Sequence, residues 1–128
     1  MSEFGKALSI STSGLQAQAS RLRHLSENIS NADTPGYRRK TIPFDVRMRD
    51  GVAQVEVGRM SLDARPLERV FAPSHPMADG TGHYESSNVE LLLALADARE
   101  AQRSYEANLK MFEQARQLSS GLMQLLRR

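Results

Sequence analysis

The chain has 128 residues, of which 40% are hydrophobic, 25% charged and only 5% aromatic, so it has material for one ordinary domain with a modest core and not for two independent ones. Its lack of cysteine excludes disulfides, cysteine-ligated zinc, iron–sulfur clusters and thiol nucleophiles. The net charge of +2 is spread evenly from end to end, with no basic arm and no acidic tail.

The first residues, Met1 to Leu8, have no basic region followed by an apolar one, so no cleavable secretory signal is expected. The N-terminal segment, residues 1–34, places Leu8, Leu15, Leu22 and Ile29 at a seven-residue spacing, joined by Ala19, Leu25 and Ala32. That is one apolar stripe on a helix. All five prolines (Pro35, Pro43, Pro66, Pro73 and Pro76) fall between positions 35 and 76, which marks residues 35–87 as a non-helical connector.

Within the connector, Ile42, Phe44, Val46 and Met48 alternate with polar residues or proline, Asp50-Gly51 follows, and Ala53, Val55 and Val57 alternate again. A β-hairpin over about 42–57 is predicted, with Asp50-Gly51 as its two-residue turn. Met48 should then lie opposite Ala53, Val46 opposite Val55 and Phe44 opposite Val57, all on one face. From Gly58 to Ser87 the pattern gives only irregular chain.

The C-terminal segment, residues 88–128, carries two parallel seven-residue series. One is Leu91, Ala98, Tyr105, Phe112, Ser119 and Leu126; the other is Ala94, Ala101, Asn108, Ala115 and Leu122. No run approaches the roughly 18–20 apolar residues needed to span a bilayer. Even Val89 to Ala96 contains Glu90. The two helical segments would be about 40 and about 60 Å long, with seams rich in alanine and serine and interrupted by Ser11, Gln18, Asn108 and Ser119. Such seams permit close approach but bury little apolar area. The isolated chain should therefore be poorly folded and gain its order by assembly.

Candidate chemistry is sparse. His75, Asp79 and His83 are spaced by four, as metal ligands or the centre of a small metallohydrolase would be, but Pro76, Gly80 and Gly82 deny them a common helical face. No G-x-S-x-G elbow occurs, and Gly80-Thr81-Gly82 is too short to cradle a phosphate. Asn28-Ile29-Ser30 matches a glycosylation sequon but lies inside the helical stripe. Arg38-Arg39-Lys40 with Arg47 and Arg49 is the one basic concentration, and the interleaved Asp45, Asp50 and Glu56 argue for a solvated or ion-paired face over nucleic acid. The expectation is therefore no enzyme, no metal, no cofactor and no nucleic-acid partner.

The segment Ser26 to Tyr37 is more specific. Asn31 and Asp33 suit a helix end, and Pro35-Gly36 fills the central positions of a type II turn, so the chain must reverse here with Tyr37 just beyond. The spacing Asn28, Asn31, Thr34, Gly36, Tyr37 resembles the N-x-x-N-x-x-T-x-G-Y signature of the bacterial flagellar axial proteins, which comprise rod, hook and hook-associated subunits. Three further blocks resemble the C-terminal half of a proximal-rod type within that family: Pro76 to Gly82, Ser87 to Glu90, and Ala101 to Asn108. There P-x-A-D-x-x-G-Y, P-N-V and R-x-Y-x-A-N are usual. His83 and Ser87 depart from that pattern, standing where Tyr and Pro are usual. A sibling proximal-rod type shares the first signature, but the blocks Pro76–Asp79 and Arg103–Asn108 favour the former.

The resemblance implies a mainly α fold in which the two long terminal helices pair as an antiparallel coiled coil, with a small β-hairpin in an irregular middle segment. It implies a structural subunit of the proximal rod in the flagellar basal body, assembled helically around the export channel as a torque-transmitting drive shaft. The subunit would reach that periplasm-spanning place through the flagellar type III apparatus. Its partners would be itself, other rod proteins, and components of the rod/ring junction and export gate. Assembly and packing roles then fall on Asn28, Asn31, Asp33, Thr34, Pro35, Gly36 and Tyr37, and on Asn88, Arg103, Tyr105 and Asn108. Leu8, Leu15, Leu22, Ile29 and Phe112 join them as stripe residues.

Overall fold

In the computed structural model, which describes residues 2–127, the two heptad-patterned ends form helices α1 (Glu3–Ser30) and α2 (Leu91–Leu126). Ser2 caps α1, its hydroxyl accepting from the Gly5 N–H at 3.0 Å, and Glu3 places a negative charge in the first turn. α1 stops at Ser30 because Asn31 turns its side chain back, donating from Nδ2 to the Glu27 carbonyl at 2.9 Å. The chain then enters turns instead of continuing through Thr34.

The helices lie side by side and run in opposite directions. Gly14 faces Asn108, and two turns on, Arg21 reaches Asp97 and Glu100 at 3.9 and 3.7 Å. Small residues line the contact. Ser11, Gly14, Ala17, Leu25 and Asn28 are buried on α1, and Ala94, Ala101 and Ala115 on α2. Of the two α2 series, the one that faces α1 is therefore Ala94–Ala101–Asn108–Ala115. A Cβ added at Gly14 would sit 2.6 Å from Asn108 Oδ1, so the backbones approach as closely as these side chains permit. Many large apolar side chains instead point outward, among them Leu92 at 83%, Met111 at 59% and Leu125 at 64% exposed. Leu8, Leu15, Leu22 and Ile29 are half-buried.

The connector carries six short strands: β1 (Lys40–Thr41), β2 (Phe44–Arg49), β3 (Val52–Val57), β4 (Ser61–Leu62), β5 (Arg69–Phe71) and β6 (His83–Glu85). They form three antiparallel pairs, β1 with β4, β2 with β3 and β5 with β6. The hairpin β2–β3 has the register that turn chemistry and alternation dictate: Phe44 opposite Val57, Val46 opposite Val55, Met48 opposite Ala53. Asp50 and Gly51 both take positive φ, 51° and 76°, the pairing a type I′ turn requires.

The expectation of purely irregular chain from 58 to 87 needs correction. β4 returns to β1 and β5–β6 closes a loop of its own. These strands have only two or three residues, too short for alternation to register, and they are held by side chain-to-backbone bonds that hydrophobic patterning does not encode. Asp79 is the clearest case: its Oδ1 accepts from Thr81 N–H at 2.9 Å and the Thr81 hydroxyl at 2.6 Å.

The hairpin meets α1 along the edge of β3. Ser13 Oγ accepts from the Val55 N–H at 3.1 Å and donates to the Ile10 carbonyl at 2.8 Å, sealing that edge. Val52 is buried, but the apolar face of β2 is open, with Val46 73% and Met48 67% exposed. A second open region follows from unequal helix lengths. With Gly14 level with Asn108, Glu3 falls near residue 119, so the last two turns of α2, with Leu122, Met123, Leu125 and Leu126, extend past the start of α1.

Candidate assembly site

Where α1 ends, one buried side chain organises the reversal. Asn28 is 1% exposed. Its Oδ1 accepts from the Tyr37 hydroxyl at 2.8 Å and from the Lys40 N–H at 2.9 Å, while its Nδ2 donates to the Lys40 carbonyl at 3.0 Å. An amide is needed because the site calls for an acceptor and a donor on one planar group. Three residues on, the Asn31 carbonyl accepts from Thr34 N–H at 3.0 Å, and Asn31 Oδ1 accepts from the Thr34 hydroxyl at 3.1 Å. The Tyr37 N–H then donates to the Thr34 carbonyl at 3.2 Å, with Pro35 and Gly36 between them and Gly36 at φ +77°. This is the turn that Pro-Gly chemistry favours, and only glycine takes that φ without strain. Asp33 is exposed beside it.

The far end of the connector is tied into the same knot. Gly36 N–H donates to the Glu85 carbonyl at 3.0 Å, and Asn88 N–H to the Tyr37 carbonyl at 3.3 Å. Asn88 Oδ1 accepts from Arg39 N–H at 2.6 Å, and its Nδ2 donates to the Asp63 carbonyl at 3.1 Å. The Ser87 hydroxyl donates to the Ala32 carbonyl. Two asparagines, one at each helix junction, thus hold the entering and leaving strands of the connector together.

Charges surround this knot in matched pairs. Lys40 Nζ lies 2.5 Å from Glu27 Oε2, a bond that lowers the Glu27 carboxyl below its usual range and raises the Lys40 ammonium above its own. Asp63 accepts from the Arg65 N–H and from the guanidinium groups of Arg39 and Arg65, and the Arg65 backbone bond leads in holding its pKa down. Burial raises the Tyr37 phenol. Sequence patterning gave no role to Glu27 or Asp63, and took Lys40 and Ser87 only as part of the basic concentration and of the Ser87–Glu90 block.

The other candidate residues are placed elsewhere. Asn108 packs against Gly14 and donates from Nδ2 to the Ser104 carbonyl at 2.9 Å. Arg103 is exposed on α2, while Tyr105 and Phe112 are half-buried along it, all away from the Asn28 knot. The basic concentration is engaged within the chain. Arg38 donates to the carbonyls of Asp63 and Arg65, Arg39 pairs with Asp63, and Arg47 and Arg49 pair with Glu56. His75, Asp79 and His83 do not converge. His75 Nδ1 accepts from Met77 N–H at 3.0 Å and its ring stacks on Tyr84 at 4.0 Å. Asp79 is drawn to about 2 chiefly by the Thr81 hydroxyl. Among the described residues no group of three or more His, Asp or Glu side chains could hold a metal ion. The arrangement presents surfaces and fixed angles between elements.

Known proteins match the chain at these same places. A family model described as "Flagella basal body rod protein" matches residues 8–38, which include Asn28 to Tyr37, and one described as "Flagellar basal body rod FlgEFG protein C-terminal" matches residues 81–125, which include Asn88 and Asn108. The flagellar basal-body rod protein FlgC of Agrobacterium fabrum is 40% identical, with 99% of this chain and 98% of that protein aligned. FlgC of Yersinia enterocolitica is 32% identical over 85% of this chain and 87% of its own, and FlgC of Borreliella burgdorferi 28% identical over 94% and 95%.

Proposed function

The chain belongs to the FlgC-type family of flagellar basal-body rod proteins, and from that premise we propose how it performs as a rod subunit. It is a non-enzymatic structural subunit of the flagellar proximal rod, and the flagellar basal body is its place. Its mechanism is assembly. α1 and α2 form an antiparallel coiled coil whose small-residue seam closes within the subunit, and its larger side chains meet neighbouring subunits. The subunits stack helically around the export channel and carry torque along it. They arrive through the flagellar type III apparatus, and their partners are further copies, other rod proteins, and components of the ring junction and export gate.

In this reading Asn28, Asn31, Asp33, Thr34, Pro35, Gly36, Tyr37 and Asn88 fix the angle between the helical axis and the connector. Leu8, Leu15, Leu22, Ile29, Arg103, Tyr105, Asn108 and Phe112 serve packing along the helices, within the subunit or against its neighbours. The observation that carries the mechanism is the inversion of the usual core. The buried apolar residues are Ala17, Leu25, Val52, Ala94, Ala101 and Ala115, whereas leucines along α2 face outward. A helix such as α2, which buries Ala94, Ala101 and Ala115 and exposes most of its leucines, is suited to being completed by others. Electron microscopy of basal bodies from cells lacking the chain tests the reading: the rod should be missing and should return with the wild-type chain. Normal rods and swimming without it would overturn the assignment.

A further inference from the structure

The seam between the helices is permissive along most of its length. Ala94, Ala101 and Ala115 each offer α1 a single methyl, and a seam of methyls by itself fixes neither stagger nor rotation. The bonds of Asn28 and Asn88 hold one end only. Gly14 lies about 21 Å along α1 from Asn28, and the contact there is of another kind. A Cβ at position 14 would come within 2.6, 2.8 and 3.0 Å of Oδ1, Cγ and Nδ2 of Asn108, so the whole carboxamide fills the space that any residue other than glycine would need. The carboxamide is held in place, because Nδ2 donates to the Ser104 carbonyl of its own helix at 2.9 Å. We propose that Gly14 and Asn108 are the steric key of the helix pair, setting the stagger and rotation of α2 on α1 at the end remote from the connector.

The key acts by shape, since that Nδ2 bond stays within α2 and does not cross the seam. The rest of the seam fits one placement. With Gly14 level with Asn108 and the helices antiparallel, Ala7 falls level with Ala115, Arg21 with Ala101 and Asn28 with Ala94. The reach of Arg21 to Asp97 and Glu100 agrees with this. A large side chain thus meets a small one at Arg21 and Asn28, where the large one is on α1, and at Asn108, where it is on α2. Sliding α2 by seven residues would bring Asn108 level with Arg21 in one direction and with Ala7 in the other, and both carry the Cβ that Gly14 lacks. The other glycine of α1, Gly5, is out of phase with this series. Glycine inside a helix is ordinarily a weakness relative to alanine. Its place in the middle of α1 is explained by the side chain it admits.

The absence of native cysteine lets the seam be read by cross-linking in basal bodies, a measurement that rests on the rod-subunit reading above. In place of the native chain, cells carry either Ala7→Cys with Ala115→Cys, the level pair, or Ala7→Cys with Ser119→Cys, displaced by one turn. The intramolecular disulfide is scored on non-reducing gels. With the key intact, the level pair should close about tenfold more than the displaced pair, which stands outside disulfide reach. Asn108→Ala should reduce that preference to about twofold, because a methyl no longer selects one placement. Gly14→Ala should lower recovery of the chain in basal bodies about tenfold, the opposite of what alanine does for a helix by itself, and adding Asn108→Ala should restore recovery but not the preference. A role in helix stability alone would not produce that reversal. Equal closure of the two pairs in the native background would overturn the inference and leave the rod reading standing. So would a Gly14→Ala chain recovered as fully as the native one with its preference intact. Basal bodies without any copy of the chain would remove the rod reading and this inference with it.

Discussion

The two ends of the helix pair are built on opposite principles. At the end where α1 stops and α2 begins, the helices finish nearly level, and Asn28, Asn31, Tyr37 and Asn88 satisfy one another through short directional bonds. At the other end α2 runs on alone and exposes Leu122, Leu125 and Leu126. The first end spends polar groups on a defined angle, although Leu92 and Leu93 stand 83% and 60% exposed beside it. The second holds apolar area in reserve. Directional bonds specify geometry within the chain, whereas exposed apolar area is left for nondirectional burial.

That contrast is open to attack at both ends. Asn28→Leu should have the largest effect on the subunit itself, because it leaves the Tyr37 hydroxyl and both backbone groups of Lys40 without their partner in a buried place. A loss of about 3 kcal/mol is expected, read as lost incorporation of the chain into basal bodies and lost swimming. Deleting residues 122–128 should do the reverse. The dilute chain should keep its ellipticity per remaining residue, yet no rod should form; rods recovered from that strain would erase the distinction between the two ends.

Gly36→Val is next in size. Nothing lies within 4 Å of a Cβ added there, so the cost is purely the φ of +77°, about 1–2 kcal/mol, and Gly36→Asn should recover part of it in a motility assay. Ser13→Ala removes the acceptor for Val55 N–H and should cost about 1 kcal/mol, visible as faster hydrogen exchange at that amide while rods still assemble. The smallest effect concerns pH. Asp79 is held at about 2 by the Thr81 hydroxyl and the amides of Thr81 and His83, below its ordinary 3.8. Its contribution is fully present above about pH 4 and lost as pH falls through 2, so those two amides should lose protection only in that window.

Local rules carried far in this chain where two of them agreed. Asp50-Gly51 and the flanking alternation fix the same register, and the strands pair in it. The seven-residue series locate both helices, but periodicity alone left open which series faces inward. Apolar scales favour the series through Leu91, Tyr105 and Phe112, whereas close backbone approach favours Ala94–Ala101–Asn108–Ala115, and the second consideration prevails. The roles of Asn28 and Asn88 stayed hidden for a different reason. Their partners lie 12 and 49 residues away, and a side chain that bonds to distant backbone leaves no periodic trace. Asp63 gathers its neighbour Arg65 and the side chain of Arg39, 24 residues away, and such a long-range ion pair leaves no periodic trace either.

The mismatch in helix length has a consequence of its own. A pair of rods flush at one end and staggered at the other is a vector: it has a front and a back that cannot be exchanged. Its two ends present different apolar groups, Leu92 and Leu93 beside the flush junction and Leu122, Leu125 and Leu126 on the overhang. Any array that repeats one contact between such unlike ends is head-to-tail, and so has a direction.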